Sequence, residues 1–141
     1  MAPKRTWGLR VMLILDAPIV PGEQAAGICI GTEICKVLAS LGPHGVEEFG
    51  YGTVRYSTTS VSFWVKNGVI DQIGVCEGYQ GKLFDTVGIG SRLADVESTL
   101  GRVVEDDEDN LVVLEVPGVI FEVCSDDLER IGGMYVYRPE Q

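Results

Sequence analysis

The stretch Ile30-Gly31-Thr32-Glu33-Ile34-Cys35-Lys36-Val37-Leu38-Ala39-Ser40-Leu41-Gly42 decides the reading of the fold, because the chain states it again. The second copy is Ile89-Gly90-Ser91-Arg92-Leu93-Ala94-Asp95-Val96-Glu97-Ser98-Thr99-Leu100-Gly101. Each copy reads as a short helix with both ends marked. Thr32 and Ser91 offer a hydroxyl to an orphan backbone N–H, as an N-cap does. Ile34, Val37, Leu38 and Leu41, then Leu93, Val96 and Leu100, fall at helical spacing. Gly42 and Gly101 stand where a helix needs a left-handed residue beyond its last turn.

Outward from these stretches the two halves keep matching. At a shift of 58, Val61 falls on Val119, Phe63 on Phe121, Val65 on Val123, Ile73 on Ile131 and Tyr79 on Tyr137. The helical stretches match at a shift of 59. Asn67-Gly68 is a two-residue hairpin signal, since both positions tolerate positive φ. Residues 60–65 alternate apolar and polar, and 69–76 read as the returning strand. The expected fold is therefore α+β: two tandem αβββ repeats, with helices packed on one face of a mostly antiparallel sheet. The expected division is 1–26 as an N-terminal strand and loop, 27–80 as the first repeat, and 81–141 as a second, acidic repeat in one compact unit. A single αβββ unit cannot bury its sheet face alone, so two would pair.

The Gly31-Thr32 and Gly90-Ser91 helix starts, the Leu41-Gly42 and Leu100-Gly101 helix ends, and the antiparallel hairpin that follows carry a family resemblance. Each unit resembles the SmpA/BamE-type small envelope modules. Two in tandem, over residues 27–138, resemble the architecture of the β-lactamase inhibitor protein. The resemblance implies a non-enzymatic binder.

The charge is placed unevenly. Twelve acids and three bases in residues 97–141 give −9 of the net −10. Such a surface argues against nucleic acid, whose binding needs cations to displace counterions. It suits a basic protein partner. The longest apolar runs fall far short of the ~20 residues that span a bilayer. The basic start with Lys4, Arg5 and Arg10 leads into an apolar run broken by Asp16, Pro18 and Pro21, which is a poor signal peptide. Residues 7–15 read better as a first strand, and the expected location is cytoplasmic. Cys29 and Cys35 lie in apolar contexts, as buried thiols do. Cys76 and Cys124 complete a set without a C-x-x-C pair, so no zinc cluster is expected.

Catalytic groups are scarce. His44 is the only histidine and lies in a Pro43-His44-Gly45 turn, a poor place for a general base. Gly88-x-Gly90 lacks the third glycine of a dinucleotide fingerprint. The run Glu105-Asp106-Asp107-Glu108-Asp109 does not have the spacing of an EF-hand loop. No cofactor, metal or catalytic residue is expected. The alternation of residues 60–65 turns Trp64 away from the helices, with Ile120 and Glu122 on the same outward face and Met134 joining from the last strand. The expected partner surface is thus Trp64, Glu122, Ile120 and Met134, with Asp106, Asp107 and Asp109 as an acidic rim. The reading is a non-enzymatic protein of inhibitor or immunity type. Its alternative is a small-molecule-binding module with a pocket between the repeats.

Overall fold

The computed structural model describes residues 12–140. A small hairpin of β1 (Gln24–Ala25) and β2 (Ile28–Cys29) precedes the main body. A four-strand meander follows: β3 (Gly45–Gly50), β4 (Thr53–Ser57), β5 (Val61–Lys66) and β6 (Val69–Cys76). After α1 (Leu93–Leu100) comes a second meander of β7 (Val103–Glu105), β8 (Leu111–Val113), β9 (Val119–Val123) and β10 (Ile131–Tyr137). The two join edge to edge in one eight-stranded antiparallel sheet of order β3-β4-β5-β6-β10-β9-β8-β7.

The fold is mainly β, which corrects the expected α+β pair of αβββ repeats with helices packed on the sheet. Only α1 is an α-helix among the described residues. The first stretch closes instead as two separate 3-10 turns, Ile34–Lys36 and Leu38–Ser40. Between them Val37 sits at φ −107°. So short a segment gets its conformation from packing rather than from propensity. A period of three puts Ile34 and Val37 on one side, and both are buried. Neither Thr32 nor Ser91 caps a helix. The cap positions are Glu33 and Arg92, without a side-chain bond, while the Ser91 hydroxyl accepts the Gly88 N–H at 2.9 Å. Cys29 and Cys35, expected to be buried, are exposed. Cys35 lies on the outer side of its turn because Ile34 and Val37 take the inner one.

Of the expected strand over residues 7–15, residues 7–11 lie outside the described part. Residues 12–15 form no strand; Ile14 donates its N–H to Ala26 O at 2.9 Å. Among the described residues no helix is long and apolar enough to cross a membrane.

Strand phase places the core. Val61, Phe63 and Val65 are buried on the inner face, beneath Ile34, Val37, Leu41 and Val96. Across the sheet, Phe63 pairs Ile73, which pairs Val136, which pairs Val119. The turn from β5 to β6 uses Asn67 at φ 52° and Gly68 at φ 83°, the geometry a two-residue hairpin requires.

Two bulges then reverse the alternation. In β6, Trp64 pairs Gln72 but Val65 pairs Ile70, so Asp71 is extra and both Ile70 and Ile73 face inward. In β10, Ile131 pairs Val123 but Gly133 pairs Glu122. The added residue flips every later side chain in that strand. Met134, expected on the outward face, is therefore fully buried against the inner face opposite Val75 and Phe121. Tyr135 and Tyr137 take the outward places.

Truncation should read this phase directly. In urea unfolding, Met134→Ala is expected to cost about 2–5 kcal/mol and Phe63→Ala about 3–5 kcal/mol, as fully buried side chains do. Leu128→Ala, at a residue 68% exposed, should stay within about 0.5 kcal/mol. A small effect at Met134 would contradict the bulge in β10.

Candidate functional site

The outward face of the sheet is built row by row from the pairing. One row runs Glu47, Arg55, Trp64, Gln72, Tyr137 across β3, β4, β5, β6 and β10. The next runs Ser57, Ser62, Gly74, Tyr135, Ile120. Tyr135 lies directly opposite Gly74, and that glycine makes the site. A Cβ at Gly74 would stand 2.7 Å from Tyr135 Cδ1 and 3.1 Å from Trp64 Cζ3. Without it the two rings fold over β6 and meet edge to face, with centroids 5.7 Å apart at 74°. Such pairs contribute beyond their buried area.

The ledge is fixed at both ends. The Arg55 guanidinium lies over the Trp64 ring at 5.6 Å and over the Phe49 ring at 5.8 Å, and bonds the Glu47 carboxylate. Arg55 Nε is buried there with no hydrogen-bond partner. At the other end the Tyr135 hydroxyl donates to Glu122 Oε1 at 2.9 Å. Burial first, and then the Glu122 carboxylate, push the Tyr135 phenol up to about 12. Burial, Glu122 and Glu77 likewise push the Cys76 thiol up.

Beside the ledge the face dips into a concavity of about 890 Å³. The expected residues Trp64, Ile120, Glu122, Asp106 and Asp109 line it together. Asp107 does not line it, and Met134 is in the core. Asp106 is a loop organiser as much as a rim charge. Its Oδ1 accepts the N–H groups of Asn110 and Glu108, both at 2.9 Å. Those bonds, Asn110 first, hold its carboxyl below the ordinary value. His44 is exposed in its turn, with Nδ1 2.8 Å from Gly42 O. Among the described residues no group of three or more His, Cys, Asp or Glu side chains is placed to hold a metal ion.

Sequence reading missed Arg55, Gln72, Tyr135 and Tyr137. Gly132-Gly133, an adjacent pair inside a strand, was the signal for the bulge that turns Tyr135 outward.

No family model matches the chain, and no curated protein matches it significantly. Among solved structures the fold is similar to a cysteine-rich secretory protein from Staphylococcus aureus subsp. aureus Mu50, with TM-score 0.52 and 12% identity, over 88% of this chain and 50% of that one. A second is an extracellular protein containing a SCP domain from Bacillus anthracis str. Ames, with TM-score 0.46 and 16% identity, over 77% of this chain and 44% of that one. The chain thus spans half or less of each. The likeness to the first is one of fold. It replaces the expected resemblance to tandem SmpA/BamE-like repeats of the β-lactamase inhibitor protein type, as does the single mainly β sheet.

Alkaline titration followed by phenolate absorbance should show a tyrosine ionising near pH 12. Tyr135→Phe is expected to remove that step. The folded state holds this proton more tightly than the unfolded chain does. Its contribution to stability is therefore intact below about pH 10, the ordinary phenol value, and is lost as the pH rises towards about 12. Glu122→Gln should lower the step without restoring the ordinary value, because burial remains.

Proposed function

We propose that the chain is a non-enzymatic binding module that receives a basic protein partner on the open face of its sheet. One observation carries this reading: an aromatic floor of Trp64 and Tyr135 sits in a concavity whose lining carries six carboxylates against one arginine. Half-buried aromatics supply most of the binding energy at interfaces, while surrounding charges set the association rate and partner choice. The uneven charge, −9 in residues 97–141, steers a cationic surface to this side. The ledge is suited to contact rather than to proton transfer. Tyr135 keeps its proton up to about pH 12, which makes it a fixed donor at neutral pH rather than a general acid. An inhibitor or immunity-type role is the most concrete form of the proposal, since covering a basic enzyme or toxin needs no chemistry of its own.

The experiment is affinity capture from the native host, followed by binding kinetics at two salt concentrations. Trp64→Ala should speed dissociation about tenfold or more, as the loss of an interface anchor does. Neutralising Asp107, Glu108 and Asp109, and sparing the loop organiser Asp106, should slow association and flatten its salt dependence. If Trp64→Ala leaves dissociation unchanged in a folded protein, the face is not the site. The concavity, whose size falls in the range of small-molecule sites, would then be tested against small ligands.

A further inference from the structure

The open face already holds one guanidinium. Arg55 lies across Trp64 and Phe49, with the Glu47 carboxylate as its counter-charge. A second aromatic ring with a carboxylate beside it stands next to Trp64: Tyr135 meets the Trp64 ring edge to face and bonds Glu122. Glu122 is exposed, and only its Oε1 accepts the Tyr135 hydroxyl. Its other oxygen faces no cation among the described residues.

The surrounding charge is one-sided. Asp71, Asp106, Glu108, Asp109, Glu122 and Glu140 line the concavity, against Arg138 alone. None of the six is ion-paired among the described residues. The Arg138 guanidinium is itself turned to a backbone acceptor, Ile30 O, at 3.2 Å. A concavity with this floor and these walls attracts a cation electrostatically and offers it a π face.

We propose that the Trp64–Tyr135 ledge, with Glu122 beside it, is an arginine-reading site that accepts an arginine side chain of the basic partner next to the chain's own Arg55. This deepens the docking reading above and rests on it. Arginine fits better than lysine for three physical reasons. Its guanidinium is planar and stacks on a ring, it is weakly hydrated and so costs less to half-bury, and its fork of N–H donors can grip a carboxylate.

The test uses the full chain, labelled with ¹⁵N, and two short peptides of equal charge. One has arginines separated by glycines; the other has lysines at the same positions. The arginine peptide should shift the Trp64 indole N–H signal and bind about two- to fivefold tighter than the lysine peptide, the advantage of a planar, weakly hydrated guanidinium over an ammonium at the same ring and carboxylate. Trp64→Leu should erase that difference and leave the weaker, salt-sensitive binding common to both peptides. Glu122→Gln, which keeps the shape of the site, should weaken the arginine peptide more than the lysine one. Equal binding of the two peptides with an unmoved Trp64 signal would overturn the arginine site and leave diffuse charge attraction only. The two readings can fail separately. A captured partner that depends on Trp64 but shows no arginine preference overturns this inference and leaves the docking face standing. A partner indifferent to Trp64 overturns both.

Discussion

The pairing of β6 with β10 is the constraint on which everything else depends. Five residue pairs, from Gln72–Tyr137 to Cys76–Gly133, join two four-strand meanders that would otherwise each end in a bare edge. An unpaired edge offers a row of free N–H and C=O groups to any passing strand, so closing it inside the molecule removes a liability. The seam serves both faces. Inward it brings Val75 against Met134 and Ile73 against Val136, all buried, and makes one core out of two half-cores. Outward it sets Tyr135 over Gly74 and so beside Trp64. The ledge takes one ring from each meander, and neither half could build it alone.

How much of this could be read from the residues depends on how local the cause is. The hairpin at Asn67-Gly68 and the alternation of β5 are local, and they put Phe63 in the core and Trp64 on the outer face without reference to anything distant. The concentration of charge beyond residue 96 is visible by counting. Of the two glycine-bounded stretches the second folds as read, into α1, while the first misled, because a helical spacing of apolar residues is also met by consecutive 3-10 turns pressed onto a sheet. Ile34 and Val37 are buried either way, and only packing decides between the two. The edge strand β3 carried no alternation signal, since all its residues are exposed.

Met134 shows the sharpest limit. Its side was fixed by an added residue in β10, and a one-residue slip exchanges the faces of a strand. The same bulge that hid Met134 exposed Tyr135, so one missed irregularity removed a true face residue and supplied a false one. Asp106 shows a milder version. Its place in an acidic run suggests a free charge, yet its carboxylate is occupied in shaping the β7–β8 loop. Rim charges therefore differ in kind: some organise the backbone, while Asp109 and Glu122 face the concavity. Being exposed, the latter act through the field they project, which salt screens over about 10 Å at 0.1 M.

One aromatic ledge is assembled across the β6–β10 seam from rings that lie 71 positions apart in sequence. Proton–proton NOEs between the Trp64 indole and the Tyr135 ring, measured in the intact chain, test it most directly. The account predicts cross-peaks from the proton at Trp64 Cζ3 to the Tyr135 ring protons, lost in Gly74→Val while the NOEs of the buried Phe63–Ile73 pair persist. Rings that show no NOE in the wild-type chain, or cross-peaks that survive a side chain at residue 74, would contradict it.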